Sequence, residues 1–472
     1  MISAPERPAE RRSRGTLSLA RCTAAAAAVA GVLAFATTAT AAASVASPYA
    51  PGLVVVRYLA RPSRRATART ARAARSGAPA TGRTQLLRLA PGLSVTSALR
   101  RLRASHDVQW AEPDYTARVA GGYIPDDEGL TEEAGGWEQL QWNFVGEFGV
   151  NAPQAWTNVA ADGAPGGRGV TVAVLDTGVA YANRGPFRRS PDFTPYEFVQ
   201  GYDFVAHDPD PNDRNGHGTF VAGTIAEATD NKIGLTGLAF GARIMPVRVL
   251  DSDGEGEAST IAEGVYFAAR HGAQVINLSL EFSPGVTASD IPELIEAIRY
   301  ADRRGVLVVA AAGNEGRSAI AYPARAPDVV AVGASTEHGC LAAYSNDGAG
   351  LTLVAPGGGG DADLPGDPHC HPEQPPGKDI FQETFTGSSY QVFGLPSGYE
   401  GTSMATPHVA ATAALIIASG VLGRHPTPAQ LTARLRATAR RLGGGGDERL
   451  YGAGLVDAAA ATAPGGPGAV AR

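Results

Sequence analysis

The run Val170-Thr-Val-Ala-Val-Leu175 is continuous, apolar and β-branched, which is the pattern of a strand buried on both faces of a parallel sheet. Val306 to Ala312 repeats that pattern between Gly305 and Gly313. Nearer the front, Gly52 to Tyr58 reads as a strand and Asp107 to Tyr115 as a closing strand. Between them Ser94 is placed to cap a helix whose apolar positions Val95, Ala98, Leu99 and Leu102 follow the i, i+3, i+4, i+7 spacing. Small residues after Ser403 read as one more helix, entered through Gly398 and Gly401. Pro407 is expected in that helix's first turn, where a missing N–H costs nothing.

What the strands deliver at their ends carries chemistry. The first ends on Asp176-Thr-Gly178, a carboxylate where open α/β sheets keep their sites. The second ends on Asn314, directly after a glycine. Asn215-Gly-His-Gly-Thr-Phe-Val-Ala-Gly223 sets a histidine between two glycines at a helix start. Gly401-Thr-Ser-Met-Ala-Thr-Pro-His408 puts a hydroxyl at another helix start, whose unpaired amides and dipole favour negative charge. Each residue alone reads more simply as a cap or turn. Together they make a nucleophile, a base, a carboxylate that orients the base and an oxyanion donor. His408 lies on an apolar helix and reads as a packed structural histidine.

On these motifs residues 140–460 resemble the subtilisin-like serine proteases, the subtilase family. Further matching stretches are Val275 to Leu280, Tyr322-Pro-Ala324, Val354 to Gly357 and Tyr451 to Asp457. The order Asp…His…Ser is the one found in subtilisin. The resemblance implies a three-layer α/β domain with a mostly parallel sheet. It makes Asp176, His217 and Ser403 the catalytic triad and Asn314 the oxyanion donor, with no cofactor for catalysis. Protein or peptide substrates would bind along Gly254, Glu255, Gly256, Ser279, Leu280 and Glu281. Ala311, Ala312 and Gly313 would form an apolar pocket, giving broad specificity with an apolar residue before the cut bond. Glu281 departs from the family's common glycine, and Phe220 from its second histidine. An esterase is the rival hydrolase, but Gly401-x-Ser403-x-Ala405 lacks the second glycine of the nucleophile elbow. A silent scaffold is the non-enzymatic alternative.

Composition changes the picture at the front. Of 40 basic and 46 acidic residues, 18 and 5 precede residue 121, leaving an acidic remainder with 22 basic and 41 acidic groups. That acidity excludes a nucleic-acid partner. Five arginines followed by the uncharged Thr23–Ala43 run, ending in small residues, read as a signal peptide over 1–43 and hence a secreted protein. An uncleaved anchor is the alternative. Residues 44–120 resemble the family's propeptide, a small ferredoxin-like α/β unit that inhibits the enzyme intramolecularly until clipped off between Ala117 and Tyr123. Arg61 to Arg75 reads as a basic loop within it, 121–463 as a monomeric peptidase domain, and 464–472 as a disordered tail.

Cys340 and Cys370 form an even pair in an export context and are expected to bridge, with two free thiols as the alternative. Asp208, Asp210 and Asp213 cluster hard oxygen ligands, and Asn231 lies in a stretch resembling a calcium-holding loop of the family. Structural calcium is therefore expected at those four, against the simpler reading of an acidic turn.

Overall fold

The computed structural model describes residues 49–60, 73–75, 83–90, 93–115, 123–130, 134–444, 447–465 and 468–469. The expected signal peptide, most of the basic loop, most of the cleavage window and part of the tail lie outside them.

The front unit is a four-stranded antiparallel sheet of β1 (Tyr49–Tyr58), β2 (Ala73–Arg75), β3 (Thr84–Leu89) and β4 (Val108–Tyr115), in the order β2-β3-β1-β4. The helix Val95–Arg103 buries the four apolar positions its spacing marks, and Ser94 caps it by accepting from Ser97 N. Those side chains close on Val54, Val56, Leu87 and Ala111.

The large sheet holds β5 (Thr171–Asp176), β6 (Tyr202–Asp203), β7 (Arg243–Arg248), β8 (Val275–Leu278), β9 (Leu307–Ala311), β10 (Val329–Ser335) and β11 (Leu353–Pro356). Their order is β11-β10-β9-β8-β5-β7-β6, and every pairing is parallel. Both faces are buried, which is why these strands read as unbroken apolar runs. Along β5, Val172 and Val174 enter one core while Ala173 and Leu175 enter the other. Along β9, Leu307 and Val309 part from Val308 and Ala310 in the same way. The first core is covered by the helices Ala152–Ala161, His217–Ala226 and Thr402–Ser419, the second by Ala258–Arg270 and Pro292–Arg303. Three layers result, and each fully buried valine or leucine contributes about 1.5–3 kcal/mol.

The chain leaves β5 towards β6 and β7 on one side and later fills β8 and β9 on the other. β5 thus stands where the winding reverses, and a crevice opens at the carboxyl ends there. Cys340 and Cys370 are bridged, tying the turn after β10 to the Gly/Pro-rich segment before the nucleophile.

Candidate active site

Gly401, at φ 152°, turns the chain into the helix Thr402–Ser419 and leaves Ser403 in its first turn. Pro407 falls in the second turn rather than the first, a correction to the sequence reading. Its missing N–H leaves the Ser403 carbonyl without a helical donor. Ser279 repairs this: its Oγ donates to Ser403 O at 2.8 Å and accepts from Asn277 Nδ2 at 2.9 Å. The Ser403 hydroxyl donates to the Ser279 carbonyl at 3.2 Å. The nucleophile's turn is thereby pinned to the end of β8 from both directions.

Asp176 ends β5 with no exposed surface. Its Oδ1 accepts from His217 Nδ1 at 2.8 Å and from Thr177 N at 2.7 Å. His217 opens its helix, and a Cβ on Gly218 would lie 2.1 Å from the Gly178 carbonyl, so only glycine allows this approach. Burial disfavours charge on His217, but the Asp176 carboxylate together with the Asp213 charge outweighs it, and the histidine is held above its ordinary range. Asp213 braces the loop. Its carboxylate accepts from Thr177 Oγ1, from the amides of Asn215, Gly216 and Thr219, and from Thr219 Oγ1.

Asn314 follows β9, and its Oδ1 accepts from Thr402 N at 2.8 Å and Thr402 Oγ1 at 3.0 Å. This fixes the amide so that Nδ2 becomes the free donor. That donor meets Glu281 Oε1 at 3.0 Å, and Asn314 N meets Glu281 Oε2 at 3.2 Å. Burial first, and then the neighbouring Glu315 charge, raise the Glu281 carboxyl above its usual range.

His217, Ser403, Gly254, Glu255, Gly256, Ser279, Leu280 and Glu281 line one cleft. Leu250 and Ile261 line it too. Neither stands out along the chain, because each looks like ordinary core in its own segment. Ala311 and Ala312 are buried at 1% and 0% exposure as part of the sheet's end, while a Cβ on Gly313 would lie 2.5 Å from Glu281 Oε2. His408 is buried between Asn143 Nδ2 and the Met404 carbonyl, and burial pushes it down to about 4. Phe220 stacks on Tyr399 with centroids 4.2 Å apart.

Among the described residues the expected ligands Asp208, Asp210 and Asp213 form no common carboxylate cluster, and Asn231 lies in its own loop. Asp213 spends its oxygens on the histidine loop, Asp210 pairs with Arg184, Asp208 Oδ1 accepts from the Asp210 amide, and the Asn231 amide donates to Asp192. Asp192, Glu227 and Glu383 do converge, with carboxylate oxygens within 4.8 Å of one another and all three side chains buried. Among the described residues neither Glu227 oxygen has a hydrogen-bond partner. Burial and then mutual repulsion raise Glu227, and burial is the leading cause for Asp192 and Glu383 as well.

The subtilase family profile matches residues 167–454, and the fervidolysin N-terminal prodomain profile matches residues 35–114. Subtilisin BL of Lederbergia lenta is 42% identical over 298 residues, covering 63% of this chain and 91% of that protein. An alkaline protease of Alkalihalobacillus alcalophilus is 39% identical over 342 residues, 72% of this chain and 73% of that one. A solved protease structure from Pseudoalteromonas arctica aligns with a TM-score of 0.57 at 31% identity, covering 72% of this chain and 99% of that chain.

Proposed function

The chain belongs to the subtilase family and is a serine-type endopeptidase with an N-terminal prodomain, and we propose that it cuts peptide bonds through Asp176, His217 and Ser403. The observation that carries this is the 2.8 Å contact between His217 Nδ1 and a fully buried Asp176, in the cleft that Ser403 also lines. Rotation of the Ser403 hydroxyl away from the Ser279 carbonyl hands its proton to His217 Nε2 as the oxygen attacks the scissile carbonyl. His217 later returns the proton to the leaving amine. Asp176 keeps the imidazole in the required tautomer and stabilises its charged form. The developing oxyanion is held by Asn314 Nδ2 and the Ser403 amide, which has no helical acceptor in the first turn. The wall 254–256 and the edge 279–281 pair with an extended peptide backbone, which gives broad acceptance along the chain.

Residues 44–120 act as an inhibitory prosegment that the enzyme removes itself. The bridged Cys340 and Cys370 support an exported protein. A fluorophosphonate probe should label Ser403 in the wild type and leave Ser403→Ala unlabelled. Casein hydrolysis separates a protease from an esterase, and a labelled protein that spares casein while cleaving short esters would contradict the proteolytic reading.

Structural calcium fits this reading at Asp192, Glu227 and Glu383. Three buried carboxylates, one without partners, match a hard cation's all-oxygen preference, and bound charge would relieve their repulsion. Free cation at 100 times its Kd adds about 2.7 kcal/mol to stability. Chelator should therefore lower the Tm of the wild type by several degrees, and that sensitivity should vanish in Glu227→Gln. An unchanged wild-type Tm removes the cation from the site.

A further inference from the structure

We propose that Glu281 selects substrates carrying arginine or lysine immediately before the scissile bond. The inference rests on the proteolytic reading and narrows its substrate class. An oxyanion must lie about 2.7–3.1 Å from its donor. Glu281 Oε1 already lies 3.0 Å from Asn314 Nδ2, and Oε2 takes the Asn314 amide. A carboxylate so placed competes for the donor, and its charge opposes the negative charge that develops during attack. It must move or be neutralised before the reaction runs well.

Among the described residues no ion pair involves Glu281 or Glu315. The cleft wall adds Asp253 and Glu255 and, among the described residues, contains neither lysine nor arginine. Glu315 stands beside Glu281 and holds Asn346 Nδ2. A half-buried carboxylate, Glu281, with the exposed Glu315 beside it, thus stands next to the oxyanion donor. The substrate side chain nearest Asn314 is the one on the residue whose carbonyl is attacked, one bond from the reacting carbon. A guanidinium or ammonium group there draws Glu281 off Asn314, satisfies the carboxylate and frees the donor in one movement. An apolar side chain buries the carboxylate unpaired. Ala311 and Ala312, which would have made this pocket apolar, are sealed within the sheet.

The test is kcat/KM on tetrapeptide p-nitroanilides that differ only in a final Arg, Lys, Phe or Leu. The wild type should favour Arg and Lys by about tenfold or more, the scale of a charge-assisted hydrogen bond. Glu281→Gln and Glu281→Gly should lose that ratio and gain rate on Phe and Leu, whereas Glu281→Asp should keep the basic preference. Fluorophosphonate labelling of Ser403 in each variant reports an intact site. A wild type that favours Phe or Leu, or a Glu281→Gln protein that keeps the basic preference, overturns the proposal while leaving the protease reading standing. Failure to cleave any substrate, with Ser403 unlabelled, removes both.

Discussion

Ser403→Ala is expected to lower turnover by on the order of 10⁶, because the hydroxyl, the imidazole and the carboxylate act as one unit and the whole advantage of covalent catalysis leaves with the nucleophile. The fold should hold. Ser403 Oγ makes one hydrogen bond, to the Ser279 carbonyl, while the Ser279 Oγ bond that repairs the Pro407 gap goes to the Ser403 backbone and survives the substitution. Self-removal of the front segment should stop with activity, so the purified variant should be longer than the wild type by the prosegment. N-terminal sequencing of both proteins checks this. A variant processed at the normal position would mean that another protease makes the cut.

Asp176→Asn should cost about 10⁴ in kcat, the loss seen when a triad carboxylate becomes an amide and the histidine tautomer is no longer enforced. Thr177 N can still donate to the asparagine oxygen, so little stability should be lost. The pH profile adds a sharper readout. His217 must be neutral to accept the Ser403 proton. Burial lowers its proton affinity and the Asp176 carboxylate, with the Asp213 charge, raises it by more, so the acid limb of kcat/KM in the wild type should lie above the ordinary histidine value of about 6.5. Removing the carboxylate leaves burial opposed only by the smaller pull of the Asp213 charge, and the limb should move to lower pH. A limb that stays in place would show that Asp176 does not set the histidine's affinity.

The same raised affinity fixes a sign for stability. A histidine whose folded value exceeds its unfolded one contributes stability below the unfolded value, and that contribution fades as pH rises through the folded value.

Much of the site was legible because its members sit at local signals. A β-branched run that stops on a carboxylate, a histidine between glycines and a serine after two glycines each announce a strand end or a helix start. The Val95–Arg103 helix was readable to the residue because cap and periodicity are both short-range properties. Legibility failed wherever the deciding partner came from another strand. Pro407 read as a first-turn proline because its cost depends on the Ser403 carbonyl, and that carbonyl is rescued by Ser279, 124 residues earlier in the chain. Asp213 read as a metal ligand because a carboxylate in a loop looks the same whether it faces a cation or five protein donors. The Asp192, Glu227 and Glu383 cluster was invisible, since its members come from three separate stretches and no short-range pattern joins them.

The chain by itself determined the catalytic residue types, their order and the layered α/β class, because periodicity, capping and glycine placement are written within a few residues of each group. Which carboxylates stand against which amides was settled only by the tertiary structure: the parallel neighbours β9 and β8 bring Glu281 to Asn314, and the helix packed on that sheet brings Ser403 to Ser279. Strand neighbours follow from burying both sheet faces at once, a balance over the whole molecule that no local stretch can express.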